Sequence, residues 1–418
     1  MFFYNAVIFF YSLAVRVSSL FNPKARLWIH GRKNWRSKLN SQLKKIESNP
    51  KIWIHCASLG EFEQGRPVIE ALKKKYPGYK IVLSFFSPSG YEQQKNYELA
   101  DVVTYLPSDT KKNAFDFITY CSPKIVIFIK YEFWLNYLFQ LNQKNIPAYL
   151  VSAIIKPHQP FFKWYGSNFV AALKTYKKVL VQDEASLKLL NSLNINAGFI
   201  CGDTRTDRVL SILQKSFELP EIKKFCENNF VIIAGSTWPK DETILLQAFS
   251  KLKLLYPQIK LIIAPHEIVE KNINELQQKI SQQNNSCTLY TKYTKMQSPN
   301  EKDILILNTI GILSSVYKFG KLAFIGGGFG KGIHNVLEPA VFGLPVVFGP
   351  NYKKFIEPVA LIALGGALEI IDENSLFKSI ENYLKNEEIL QKASKACLNY
   401  VNLNKGATLK IIEHLQIN

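Results

Sequence analysis

Residues 51–61 read K-I-W-I-H-C-A-S-L-G-E: an apolar run that closes on small residues, then a glycine, then a carboxylate. The run Lys51–His55 predicts a buried strand, Gly60 permits a tight turn, and Glu61–Lys75 carries its apolar residues at helical spacing. The same strand–turn–helix grammar continues along the chain. Strands are predicted at Ile81–Phe85, Val102–Leu106, Ile125–Ile129, Ala148–Ser152 and Val179–Gln182, with helical stretches such as Phe133–Gln143 and Glu184–Leu193 between them. After a weaker segment a second series opens at Phe230–Ala234 and continues at Lys260–Ala264, Ile304–Asn308, Leu322–Ile325 and Pro345–Phe348. Nearly continuous apolar strands alternating with amphipathic helices specify parallel sheets covered on both faces.

At 418 residues the chain is long for one core, which agrees with two series. The expectation is an α/β protein of two Rossmann-like domains facing a central cleft. Residues 1–22 are expected as a membrane anchor, 23–204 as the first domain, 205–229 as a linker and 230–418 as the second domain. The anchor rests on Ala6–Val15, apolar and aromatic apart from Ser12 and followed by Lys24, Arg26, Arg32, Lys33, Arg36 and Lys38. It lacks a basic leader and a small-residue cleavage site, and is short for a full span, which needs about 20 residues. A helix packed on the protein's own surface is the alternative reading. The formal charge of +19 suits an anionic partner, and membrane and phosphates fit better than nucleic acid because the basic residues are dispersed. Six cysteines without a C-x-x-C pair read as reduced thiols rather than a disulfide framework or a zinc site.

In open α/β sheets, ligands bind beyond the carboxyl ends of the strands. Ala57-Ser58-Leu59-Gly60-Glu61 occupies such a position, and Glu61 there could take a proton from an acceptor hydroxyl. S-x-x-E is equally the pattern of a capping box, so both readings stand on spacing alone. Gly235-Ser236-Thr237-Trp238-Pro239 reads either as a phosphate-binding turn or as a plain helix start. Five glycines between Gly326 and Gly332, leading into His334-Asn335-Val336-Leu337-Glu338-Pro339, are harder to explain by packing. They suggest backbone brought close to a phosphate at a helix start, with Glu338 able to accept from a ribose. Shorter signals at strand ends are Pro265-His266, Gly202-Asp203-Thr204-Arg205 and Lys130-Tyr131-Glu132-Phe133-Trp134.

In this order the motifs resemble the 3-deoxy-D-manno-octulosonic acid (Kdo) transferases that glycosylate lipid A precursors. The matching segments are W-I-H-C-A-S-L-G-E, F-S-P-S-G at Phe86–Gly90, Y-E-F-W at Tyr131–Trp134, S-T-W-P-K-D-E, G-G-G-F, H-N-V-L-E-P-A and G-P-N-Y-K-K-F at Gly349–Phe355. The resemblance covers nearly the whole chain and implies the two-domain GT-B architecture, a CMP-Kdo donor, a lipid A precursor (lipid IVA) as acceptor, an inverting displacement, and neither metal nor cofactor. It implies an enzyme on the cytoplasmic side of the inner membrane, meeting an anionic membrane surface and no nucleic acid. By this resemblance Glu61 is the general base, Arg205 stabilises the departing phosphate, and Pro265, His266, Ile310, Gly311, Ile312, Asn335, Val336, Leu337 and Glu338 hold CMP.

Two departures stand out. Many members carry E-x-E-x-W-P where this chain reads K-Y-E-F-W-L, so Lys130 replaces a carboxylate assigned to transition-state stabilisation and could act only electrostatically. The usual G-E-L reads Gly311-Ile312-Leu313, so a CMP contact at Ile312 is expected through backbone or packing. A UDP-sugar transferase or epimerase of the same architecture, and a non-catalytic sugar or lipid binder, are the competing readings. Donor choice separates the first, and intact Glu61, Arg205 and H-N-V-L-E speak against the second.

Overall fold

The computed structural model describes residues 1–214, 218–294 and 302–417. The chain forms two compact units: Met1–Arg208 together with Lys405–Asn418, and Val209–Asn404. In the first unit the strands are β1 (Lys51–Cys56), β2 (Lys80–Phe85), β3 (Val102–Tyr105), β4 (Ile125–Ile129), β5 (Ala148–Ala153), β6 (Lys178–Val181) and β7 (Gly198–Ile200). They form one parallel sheet in the order β3-β2-β1-β4-β5-β6-β7. Every residue of β1, β4 and β5 is buried, as a sheet covered by helices on both faces requires. One face packs Trp53, Val126, Phe128 and Leu150; the other packs Ile54, Ile127, Tyr149 and Val151.

The second unit repeats the plan with β8 (Phe230–Thr237), β9 (Ile259–Pro265), β10 (Cys287–Leu289), β11 (Ile304–Ile306), β12 (Leu322–Ile325), β13 (Val346–Phe348) and β14 (Ala367–Glu369). Their order is β10-β11-β9-β8-β12-β13-β14, again all parallel. Both sheets are doubly wound. The chain builds outward from a central strand, then restarts on that strand's other side, so the order reverses between β1 and β4 and between β8 and β12. Connections leave these neighbouring strands in opposite directions, and a crevice opens at their carboxyl ends.

Three short strands, β7, β10 and β14, were not expected; with three residues each they carry no readable alternation. The segment 205–229 is not a linker. It contains the helices Thr204–Gln214 and Pro220–Cys226, and Ile222 and Phe225, three apart on one helix face, are buried in the second core. Nor does the second unit run to the end of the chain. The last helix, Ala407–His414, belongs to the first unit, where Ile411, Ile412 and Leu415 join the core of Ile54, Ile69 and Ile127. Asp207 fixes this return by accepting from the amides of Gly406 (2.6 Å) and Thr408 (2.6 Å) at the helix start.

All six cysteines are unbonded, and burial pushes the Cys121 and Cys397 thiols up to about 12.

The helix Phe2–Ser18 has no buried residue. It touches the body along one row: Tyr4 donates to Asp109 (2.5 Å), Asn5 accepts from Asn136 (3.0 Å), and the Tyr11 ring stacks on Phe86. Among the described residues no single helix is long and apolar enough to cross a membrane; Phe2–Ser18 and Pro23–Arg32 qualify only as a pair bent by 120°.

Because Ile411 is fully buried beside β1 and β4, Ile411→Ala should cost about 2–5 kcal/mol. A clearly lowered thermal midpoint is the expected result. An unchanged midpoint would mean that the returning helix contributes nothing to the first core.

Candidate active site

At the first reversal, the carboxyl ends of β1 and β4 are tied by a buried polar cluster. His55, on β1, has Nδ1 2.8 Å from Ser84 Oγ and Nε2 3.1 Å from the Glu132 carboxylate. Glu132 is 2% exposed; the Trp134 indole N–H donates to its side chain, and the Tyr176 hydroxyl donates to its carbonyl (2.5 Å). Ser84 in turn accepts from the Trp53 indole (2.7 Å). A buried carboxylate persists only when its neighbours satisfy it, so this cluster fastens the loop after β4 to β1. That loop starts at Lys130, which has φ 77°, a left-handed conformation unusual for a side chain of this kind. The backbone N–H of Lys130 still donates to Val151 (2.9 Å), and its ammonium lies 5.2 Å from the centre of the Tyr131 ring.

Glu61 stands in the first turn of the helix Leu59–Lys75, directly after β1. Ser58 occupies the cap position with extended backbone but makes no side-chain bond to the helix amides. Its hydroxyl donates to the Glu61 carboxylate instead. The S-x-x-E spacing therefore builds a serine–carboxylate pair and not a capping box.

Arg205 reaches the same edge of the sheet from the start of helix Thr204–Gln214. Its guanidinium donates to Asp203 through Nε (2.8 Å) and Nη2 (2.6 Å), and Gln64, one turn beyond Glu61, donates to the other oxygen of Asp203 (3.1 Å). Burial pushes the Asp203 carboxyl up, but the Arg205 charge and these bonds outweigh it and hold the carboxyl below its usual range. Thr204 donates to the Gln64 carbonyl (2.6 Å), which locks the strand-end turn to the helix carrying Glu61. Tyr131 lies among these groups. Burial raises its phenol, the Arg205 charge opposes that, and Glu61, Asp183 and Asp203 add to it. Glu61, Arg205 and the Lys130–Tyr131 turn thus share one edge of one sheet.

The second reversal lies between β8 and β12. Asp241, 1% exposed, accepts from the amides of Trp238 (2.9 Å) and Gly327 (2.8 Å), so one carboxylate joins the turn after β8 to the glycine loop after β12. Burial raises this carboxyl despite those amides. A Cβ on Gly326 would stand 2.3 Å from the Ser236 carbonyl oxygen, and one on Gly328 2.5 Å from the Gly349 nitrogen. The glycines are required by backbone packed on backbone. No long helix follows the loop: Leu337–Ala340 is a single turn.

Over the loop three rings stack. Trp238 and His266 lie 4.6 Å apart at 27°, His266 and His334 4.4 Å apart at 26°, and the Trp238 N–H donates to His334 Nε2 (3.2 Å). Burial, then the neighbouring His266, hold His334 below its ordinary value, which keeps the ring neutral and able to accept.

Pro265 ends β9 and His266 follows it; Ile310, Gly311 and Ile312 follow β11; Asn335, Val336, Leu337 and Glu338 follow the glycine loop. All lie at or beyond the carboxyl ends of strands in the second sheet. Asn335 holds the last group together by donating to Glu338 (3.1 Å) and accepting from the Leu337 amide (3.0 Å). Ile310 is 91% exposed, and Val336 and Leu337 are buried, so side-chain contact with a ligand is open to the first and not to the last two. His55, Ser84, Asp203 and Asp241 escaped the sequence reading as a group. Asp203 and Asp241 lay inside noted motifs, but their partners are distant in the chain.

Two doubly wound α/β units with polar clusters at the strand-order reversals define the GT-B class of fold. Among solved structures, a UDP-GlcNAc 2-epimerase from Neisseria meningitidis bound to UDP-GlcNAc superposes with a TM-score of 0.60 at 16% identity, covering 87% of this chain and 98% of that one. Similarity in sequence points to the Kdo transferases. Residues 33–208 match the model described as 3-deoxy-D-manno-octulosonic-acid transferase (kdotransferase). A 3-deoxy-D-manno-octulosonic acid transferase of Aquifex aeolicus is 27% identical over 82% of this chain and 89% of its own length. One of Haemophilus influenzae is 29% identical over 87% and 86%. Over these stretches the chain is similar to Kdo transferases, which are glycosyltransferases.

Two outcomes check this geometry. Gly326→Ala should disrupt the loop and lower stability, whereas Gly330→Ala, whose Cβ would meet nothing closer than 3.7 Å, should be accepted; equal tolerance would contradict the close packing. Acidification should also weaken the ring stack. An unfolded histidine takes its proton near about pH 6.5, folded His334 resists until lower pH, and stability falls across that interval. An imidazole titration by NMR with a midpoint at or above the ordinary value would reject this.

Proposed function

We propose that the chain transfers Kdo from CMP-Kdo to a lipid A precursor in lipopolysaccharide synthesis, by a single inverting displacement at the cytoplasmic face of a membrane. The observation that carries the reading is the similarity to curated Kdo transferases along most of the chain. The likeness to the epimerase, at 16% identity, concerns the fold alone.

Glu61 acts as the general base. Its carboxylate is half-buried at the edge of the sheet and already accepts from a hydroxyl, that of Ser58, so an acceptor hydroxyl finds a carboxylate oriented for the same bond. A glucosamine hydroxyl of the acceptor attacks the anomeric carbon of Kdo, and its proton passes to Glu61. The bond from that carbon to the phosphate oxygen breaks, and CMP leaves with the electron pair. Arg205, aligned by Asp203, meets the negative charge gathering on the phosphate. Lys130 supplies positive charge near the same edge. CMP is held by Pro265, His266, Ile310 to Ile312 and Asn335 to Glu338, with Glu338 toward the ribose.

Membrane attachment rests on the helix Phe2–Ser18, which exposes Phe2, Phe3, Phe9 and Phe10, with Lys24 and Arg26 just beyond it. A pair of helices bent by 120° suits an element lying in the interface better than one crossing it.

Glu61→Gln keeps the shape of the side chain and removes the base. Transfer should fall by at least about 100-fold while CMP binding, measured by calorimetry, stays within a factor of about two. Full transfer by this variant would dismiss Glu61 as the base.

A further inference from the structure

A cavity of about 540 Å³ lies in the first unit, bounded by the helix Phe2–Ser18, the two helices that follow it and the turn after β3. Among the described residues no carboxylate lines it. Four cations do: Arg16, Arg32, Lys33 and Lys111. Arg16, Lys33 and Lys111 are exposed and make no ion pair among the described residues. Arg32 is 9% exposed, and its guanidinium donates to the carbonyls of Leu106 (2.8 Å), Trp28 (3.1 Å) and Phe86 (2.6 Å) and stacks 3.8 Å over Trp28. Carbonyl dipoles and an aromatic face hold this cation in place without neutralising it, and burial lowers its pKa to about 9.

Neutral polar groups complete the wall. Trp28, 7% exposed, lines the cavity, and its indole N–H is buried with no hydrogen-bond acceptor among the described residues. Ser108 and Thr110 add hydroxyls, and the 11-residue helix Lys111–Cys121 begins at this wall.

The surroundings say what kind of anion. Phe9 lines the cavity, and the helix that roofs it turns Phe2, Phe3 and Phe10 outward. A smaller, mostly apolar cavity of about 330 Å³ adjoins the same helix and is lined by Val7, Ile8, Tyr11, Phe86 and Trp134, with Ser108 and the buried Asp109 at one side. Trp134 is the residue that donates to Glu132, so this apolar surface runs to the polar cluster at the end of β4. A cationic recess beside an apolar helix, on the sheet edge that also bears Glu61, fits an amphiphile with an anionic head.

We infer that this cavity holds a phosphate group of the acceptor lipid, gripped by Arg16, Lys33 and Lys111 around Arg32, with the acyl chains along the outer face of the helix Phe2–Ser18. This rests on the proposed reading of the chain as a transferase acting on a phosphorylated glycolipid, and it assigns the part of unit one that recognises that substrate.

The test is binding of the full chain to detergent micelles carrying a phosphorylated, acylated glucosamine disaccharide, against the same lipid after phosphatase treatment. The phosphorylated form should bind about tenfold more tightly. Lys33→Ala/Lys111→Ala should lose most of that preference, and Lys33→Arg/Lys111→Arg should keep it. Equal binding of the two lipids, or a preference that survives the alanine pair, overturns the inference. Equally tight binding of phosphatidic acid overturns the acceptor assignment and leaves a bilayer phospholipid as the occupant. Because the readout is binding, absence of Kdo transfer alongside the predicted preference would reject the reaction and not the cavity.

Discussion

Parallel strands buried on both faces leave no place along their length for solvated chemistry, and that constraint shapes both units of this protein. Backbone polar groups are spent in the ladders and side chains on the helices above and below. Polar function is driven to the edge where strands end. There the reversal of strand order, β1 against β4 and β8 against β12, separates the outgoing connections and leaves room. Ser58, Glu61 and the Lys130–Trp134 turn lie at the first reversal; Ser236, Trp238 and the glycine loop lie at the second.

Neither reversal would hold its shape by apolar packing alone. Each is stapled by a buried carboxylate that bridges two strand ends: Glu132 to His55 in the first unit, Asp241 to the Gly327 and Trp238 amides in the second. Such a group destabilises the fold if a partner is removed, and its value lies in specifying one geometry of the loop. Asp203 does the same for Arg205, converting a long flexible cation into an oriented one. The left-handed backbone at Lys130, Ser152 and Ser236, each at the end of a strand, shows that these turns are held by their surroundings and not by local preference.

Much of this was legible in the residues. Strands of four or more residues announced themselves by unbroken apolar runs, and the motifs fell just past them. Spacing alone leaves Glu61 divided between cap and base, because S-x-x-E serves both; the Ser58 hydroxyl on the Glu61 carboxylate removes the cap reading. The returning helix Ala407–His414 was not legible, since its partners Ile54 and Ile69 lie more than three hundred residues away and its own pattern fits either unit. The same holds for Asp241 and Gly327, whose pairing is a product of topology. A weak strand signal across 205–229 suggests a linker, although Ile222 and Phe225, three apart, fit one apolar face of a helix.

Transfer of Kdo to a lipid is the step on which the proposed function stands. Its most direct test incubates the full chain with freshly generated CMP-Kdo and a tetra-acylated lipid A precursor and reads the lipid by mass spectrometry. The expected product is a lipid heavier by one or more Kdo units, with CMP released. An unmodified lipid, from protein that still binds CMP, would contradict it.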